Sequence, residues 1–288
     1  MAAGGPQHSS VRPVEPVYLI ERFPGLHQEL MTLLRGLKDA DWSRPTACAL
    51  WSVKDIVAHL LDTGLRRLSS GRDGFMPAPG GGIASYPDLV AYLNRLNADW
   101  VGATRRLSPP VLMALMDVMA PQVHAFFGSL DPHALAHFGV AWAGEESSPV
   151  WFDIGREYTE RWLHQQQIRE AVGAPGLVGR EWLYPALDIF MRALPHTYRA
   201  VHAEPAQSIH FAIQGEAGGD WTLRRQSQRW SLFTGRDDHP TARAILDQEI
   251  AWKLLSKGLS PEAARRSIKI EGDPRLGEPV FGALAIMA

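Results

Sequence analysis

The chain has 288 residues, with 45% hydrophobic and 21% charged side chains and a formal net charge of −2. That length admits two domains, and a near-neutral charge without a dense Lys/Arg block excludes an electrostatic nucleic-acid surface. A single cysteine, Cys48, excludes an intramolecular disulfide and fits a reducing cytoplasm.

The opening MAAGGPQHSSVRPVEP is small, polar and Pro-rich, without the apolar core of a signal peptide, so residues 1–15 are expected to form a disordered tail. No apolar run approaches the roughly 18 residues of a membrane span, and no membrane partner is expected. From Val17 to Lys38, Leu19, Phe23, Leu26, Leu30, Leu33 and Leu37 recur at steps of three and four, which predicts an amphipathic helix interrupted near its start by Pro24. After a connector containing Pro45, Ser52 can cap a second helix, Val53–Ser69, with Asp55 in its first turn. The stretch GRDGFMPAPGGGIASY, Gly71–Tyr86, reads as a loop long enough to act as a lid.

Helices are expected from Pro87 to Leu107, Val111 to Gly128, Trp151 to Val172 and Glu181 to Val201, with an irregular segment at 131–150. The pattern changes after His202-Ala203-Glu204-Pro205. Ser208–Ile213, Trp221–Arg224 and Arg229–Phe233 read as strands, with a hairpin turn at Glu216–Asp220. Thr241–Leu255 is expected as a helix, Ser267–Glu271 as a strand and Leu276–Met287 as a last helix. No internal repeat is evident. Residues 16–203 therefore read as a helical domain and 204–288 as a small α+β domain.

Two features carry chemistry. In EYTERWLHQQQIREAVG, residues 157–173, Glu160 and His164 stand one turn apart, about 6 Å on one helical face. Two side chains so placed can reach one metal ion without distorting the helix. His59 lies mid-helix beside an apolar stripe. A satisfied core histidine is its ordinary reading, yet a bundle interior is also where facing helices build metal sites. Two imidazoles and a carboxylate leave one position open, the pattern of a catalytic zinc site. Cys48 reads as a small buried hydrophobe, more than about 9 Å from His59 along the chain. His210 alternates with Ile209 and Phe211 on a strand, and His133 and His137 have the right spacing to pair but no evident third partner.

The run WSRPTACALWSVKDIVAHLLD, residues 42–62, resembles the N-terminal signature of the DinB-like mycothiol-dependent maleylpyruvate isomerase family through Trp42, Pro45-Thr46, Cys48, Trp51, the Val-Lys-Asp-Ile-Val helix start and His59. The Glu160/His164 helix resembles the same family's second motif, although Gln167 stands where the family usually shows Asp. GEAGGDWTL, Trp252-Lys253-Leu254 and Ile270-Glu271-Gly272-Asp273 look like its small sterol-carrier-like C-terminal domain. The resemblance implies a four-helix bundle in which His59, Glu160 and His164 hold a divalent metal, zinc by its donor set. It implies mycothiol or a similar thiol as cosubstrate, with the zinc-bound thiolate as nucleophile toward a small electrophile. Gln167, Arg169 and Trp51 are candidates for holding that thiol. An arginine of the C-terminal domain near substrate carboxylates is also implied, with Arg265, Arg266 and Arg275 as candidates. The chemistry is thiol S-transfer or cis–trans isomerisation, in a monomer or homodimer. The alternative is a non-enzymatic metal-binding bundle whose C-terminal domain holds an apolar ligand or partner.

Overall fold

The computed structural model describes residues 11–76 and 82–287. They form two compact units. One is helical, built from Tyr18–Ala141 and Glu146–Leu177; the other gathers the residues up to Val17, Trp142–Glu145 and Val178–Ile286 around a sheet.

In the helical unit, α1 is Phe23–Arg35, preceded by a 3-10 turn at Ile20–Arg22. Pro24 sits in its first turn, where the missing N–H has no helical partner to lose, so it opens the helix instead of interrupting it. α2, Val53–Arg66, begins with a capping box: the Asp55 N–H donates to Ser52 Oγ at 3.3 Å and the Ser52 N–H donates to Asp55 Oδ2 at 3.0 Å. It runs on through a wider turn at Arg67–Arg72, so the loop expected from Gly71 starts at Asp73; its residues 77–81 lie outside the described residues. α3 is Tyr86–Thr104 and α4 is Pro109–Gly128. α2 packs on α3, α4 and α5, and Gly64 lets α4 approach, since a Cβ there would run into the Met119 side chain.

α4 corrects one reading. Its 20 residues are long and apolar enough, by length and composition alone, to cross a membrane, which a search for uninterrupted apolar runs missed because Asp117, Gln122 and His124 punctuate it. α5, Val150–Val172, ends on Gly173 at φ 68°, whose N–H caps the carbonyls of Arg169 and Glu170. α5 buries residues around most of its circumference, as α2 does over residues 56–62, but on α5 eight of them are polar: Asp153, Glu157, Thr159, His164, Gln165, Gln166, Gln167 and Arg169.

In the sheet unit, α6 is Arg180–Met191 and α7 the short Leu194–Thr197, a broken pair where one helix was expected. Both fall with the sheet, whereas the composition change that suggests a boundary comes later, at residue 204. The strands are β1 Arg12–Pro13, β2 Ser208–Gln214, β3 Gly219–Arg225, β4 Trp230–Thr234, β5 Ala242–Asp247 and β6 Lys269–Gly272, in spatial order β1-β4-β3-β2-β5-β6. Among the described strands only β2 and β5 pair in parallel. β1 corrects the tail reading for its last residues; residues 1–10 lie outside the described residues. Ile209, Phe211, Trp221, Leu223, Leu232, Ala242 and Ala244 stand opposite one another on one face and are buried. Trp221 Nε1–H donates to Asp188 of α6 at 2.9 Å. Each of the large aliphatic and Phe side chains among them contributes roughly 1.5–3 kcal/mol by leaving water.

The expected helix 241–255 is half strand. Ala242, Ala244 and Leu246 alternate inward with Arg243 and Ile245 between them, and Asp247 then caps the true helix α8, Gln248–Leu255. α9, Pro261–Ser267, is capped by Ser260 and precedes β6. The expected final helix is only α10, Pro274–Gly277, and a 3-10 turn at Glu278–Gly282; Gly277, Pro279 and Gly282 prevent more.

Candidate metal centre

His59 comes from the middle of α2, and Glu160 and His164 from successive turns of α5. Glu160 Oε1 lies 2.9 Å from His59 Nε2 and 3.2 Å from His164 Nε2. One ligand atom from each residue lies within 4.8 Å of the others. Two donors bound at 2.0–2.1 Å in a tetrahedron stand about 3.3 Å apart, so the three fit one small cation with little rearrangement. His59 and His164 are buried at 4% and 7% exposure, while the Glu160 side chain is 28% exposed, so the cluster is open to solvent on the carboxylate side.

Electrostatics favour a cation here. Burial opposes a charge on Glu160, but the two imidazoles outweigh it and hold the carboxyl well below the usual carboxylate range. His164 is pushed up to about 10: burial acts against its charge, and Glu160 prevails. His59 is lowered by burial despite its bond to Glu160. Glu160 and His164 thus share a proton between the ligand atoms, and a divalent ion bound there would displace it and take its place against the carboxylate.

Around the triad the sequence expectation about Cys48 fails. The Thr46 N–H donates to the Trp51 carbonyl at 3.2 Å, the Trp51 N–H to the Cys48 carbonyl at 2.8 Å and the Val53 N–H to the Arg44 carbonyl at 3.0 Å. This loop folds the chain back on itself before α2. It lays the Trp51 ring 4.7 Å from the His59 ring and 6.0 Å from that of His164. It also brings the half-buried Cys48 thiol to Gln167, where Sγ donates to Oε1 at 3.2 Å. The same oxygen accepts from His164 Nδ1 at 2.7 Å, leaving Nε2 for Glu160 or a metal. Cys48 therefore reaches a triad member, acting on His164 directly as well as through the Gln167 oxygen, because the loop's reversal brings it back from its distance along the helix axis.

Of the other candidates, Trp51 and Gln167 stand at the triad and Arg169 does not. Its guanidinium donates to Gln165, to Glu29 on α1 and to the Pro175 carbonyl. Arg265, Arg266 and Arg275 belong to the sheet unit. Arg265 sits over the Phe281 ring, and the exposed Arg275 is bonded to Asp273. His133 and His137 have separate partners, Tyr18 and Met76. His210 is buried, with Nε2 donating to Asp220 at 2.6 Å and Nδ1 accepting from Arg243 at 3.2 Å.

Sequence reading missed the support beneath the triad. Two turns past His59, the buried Arg67 donates to Glu157 at 3.0 Å and to Asp153 at 2.6 Å, one and two turns before Glu160 on α5. Arg156 and Arg161 complete the network from α5 itself. Burial raises Asp153 to about 6, against the pull of Arg67. Glu157 stays below its usual value because Arg67 and Arg161 overcome its burial. The signal was present as Asp153, Glu157 and Glu160 at helical spacing, with Arg67 in register with His59.

Residues 23–169, just over half the chain, match the family model of the mycothiol maleylpyruvate isomerase N-terminal domain. The structure resembles that of mycothiol-dependent maleylpyruvate isomerase, with a TM-score of 0.51 at 8% identity, and that of a histidine-to-alanine mutant of it, with 0.50 at 9%. Each likeness covers 88% of this chain and 92% of the other, and at such identity it is a likeness of fold. No curated protein matches the chain significantly in sequence. The triad residues, α2, the loop before it and all but the last turn of α5 fall inside the matched segment, and the chain belongs to the mycothiol maleylpyruvate isomerase N-terminal domain family.

Proposed function

We propose that the chain is a divalent-metal enzyme that uses a low-molecular-weight thiol, mycothiol by family, on a small electrophilic substrate in the cytoplasm. The reaction is cis–trans isomerisation of an activated double bond, or transfer of the thiol onto such an electrophile. The observation that carries this is the convergence of His59, Glu160 and His164 from two facing helices, read here as half of a DinB-like four-helix bundle.

Two neutral imidazoles and one carboxylate would hold zinc and leave it a net charge of about +1. A cation so held supplies Lewis acidity that favours the thiolate form of a bound thiol near neutral pH. The chain's residues do the rest. Gln167 fixes the His164 ring with Nε2 toward Glu160. Trp51 covers the flank of His59 and limits water there. The solvent-facing side of Glu160 marks the approach for the thiol.

Metal analysis tests the reading. Purified from zinc-supplemented medium, the wild type should carry about one ion per chain and His164→Ala less than about one tenth of that. Stoichiometric metal in His164→Ala sinks the ligand assignment. Full turnover without added thiol would replace a thiol-dependent reaction with a hydrolytic one.

A further inference from the structure

We propose that a cavity walled by α1, α2, α4 and α5 is a second binding site, for a small carboxylate with an apolar body. The cavity measures about 250 Å³. Its walls are mostly apolar, with Phe23 and Leu30 from α1, Leu60 from α2, and Met116, Met119 and Val123 from α4. A dry cavity of about 150 Å³ is enough for benzene, so this one has room for a ring with a carboxylate attached. Pro121 stands inside α4, lacks the N–H that would bond the Asp117 carbonyl, and forms part of the cavity wall.

Two polar groups on the wall want a partner. Arg161 donates through Nη1 to the Glu157 carboxylate at 2.6 Å and to its carbonyl at 3.0 Å. Its Nη2 is buried without a hydrogen-bond partner among the described residues, and so is Nε2 of His124, which also lines the cavity. The remaining polar groups of the wall are engaged: His27 bonds Asp117, which Arg35 also holds, and Gln165 donates to the Leu26 carbonyl. Behind Arg161 the network holds three guanidiniums, of Arg67, Arg156 and Arg161, against two carboxylates, of Asp153 and Glu157. The local excess is positive. A carboxylate meets both needs, charge and acceptor, where an alcohol meets only the second. Arg161 and Gln165 each follow a triad residue by one position on α5, and Leu60 follows His59 on α2. A step of one residue turns about 100° round a helix, so the cavity lies on a different flank of both helices from the triad.

The test is calorimetric titration of the metal-loaded protein with benzoate, benzyl alcohol and acetate. Benzoate should bind one to one, roughly tenfold or more tighter than benzyl alcohol, and acetate should show no saturable binding. Arg161→Met, which keeps an apolar stem, should weaken benzoate by roughly tenfold or more. Ala120→Phe, at another residue of the cavity wall, fills the space and should abolish its binding with metal content unchanged. No saturable benzoate binding, equal affinity for benzoate and benzyl alcohol, or binding that survives Ala120→Phe overturns the proposal. Loss of benzoate binding in His164→Ala, at intact fold, would place the ligand at the triad and overturn it too. The comparison of the three probes on the wild type needs no variant to fold.

Discussion

Helix α5 and the strand pair β2–β3 are each the buried centre of a unit, yet they are held by opposite means. The strands bury Ile209, Phe211, Trp221 and Leu223 on one face and gain from apolar area removed from water. α5 buries eight polar side chains, whose lost hydration has to be returned bond by bond. It is returned through particular partners: Arg67 for Asp153 and Glu157, the Leu26 carbonyl for Gln165, the Leu177 N–H for Gln166, and Glu29 and the Pro175 carbonyl for Arg169. The sheet core would accept many apolar sequences. The α5 core accepts few, and the triad stands within it.

Two substitutions of similar cost separate the two cores. Arg67→Met should destabilise the protein by about 3–5 kcal/mol at pH 7, because it removes the buried guanidinium that bonds both Asp153 and Glu157. Leu223→Ala should cost about 2–5 kcal/mol through the cavity it opens. Urea denaturation at pH 7 and pH 5 tells them apart. The Arg67 variant should recover part of its loss at pH 5 as the carboxylates take up protons, while the Leu223 deficit stays flat. An equal response to pH in both variants would break the comparison.

Asp153 gives a smaller effect with a definite sign. Its carboxyl is raised from 3.8 to about 6 in the folded protein. The native state therefore holds this proton more tightly than the unfolded chain does. The contribution is fully present below about pH 4 and is lost as pH rises through 6. Two units correspond to at most about 3 kcal/mol. Asp153→Asn has no such titration, so its stability relative to wild type should improve by up to about that amount between pH 4 and 7. A difference that is flat or falls with pH would show that Asp153 is ionised throughout that range in the native state.

How far the sequence could be read follows the same division. The helices α1 and α2 and the strands β2, β3 and β4 were visible because their large apolar side chains recur with a simple period, even where polar residues between them, such as His210 and Thr222, are buried as well. The stretch TARAILD failed because Ala and Ile fit either period, and its pairing with β2 on one side and β6 on the other decides for a strand. In α5 the chemistry was legible and the packing was not. Glu160 and His164 stand out by spacing, and His59 by its apolar surroundings, but nothing local shows that Gln165, Gln166 and Arg169 are buried. Their burial depends on residues far away in the chain, such as Leu26, Glu29 and Leu177. Cys48 was misplaced for a related reason. A reversal made by the bonds between 44–46 and 51–53 carries no apolar period.

Gln167 tests whether α5's polar core serves the triad or only the fold. It accepts from His164 Nδ1, the bond that fixes which ring nitrogen faces Glu160. Gln167→Ala should weaken zinc binding by about 10–100-fold, the usual effect of removing the partner of a ligating histidine. Measured by competition with a chelator, the loss should exceed the change in folding stability of the metal-free protein. A stability loss with unchanged zinc affinity would make Gln167 a packing residue.

The smallest effect is expected at Cys48, although it touches the same Gln167 oxygen. Its thiol is a weak donor, and the loop that carries it is held by backbone bonds and by the Thr46 hydroxyl, none of which uses the thiol. Cys48→Ser keeps an O–H in the same place and should leave zinc affinity within about threefold of wild type, or about 0.6 kcal/mol. Cys48→Val removes the donor at nearly constant volume. Gln167 Oε1 then keeps its stronger partner, His164, so the loss should stay well below that of Gln167→Ala. Thiol dependence sharpens the point: if an external thiol is the reagent, both variants turn over only when it is added. Should Cys48→Ser lose its metal as His164→Ala is expected to, the centre would have four protein donors and no open position. The contrast drawn here, a polar core built around an open site, would then fail at its centre.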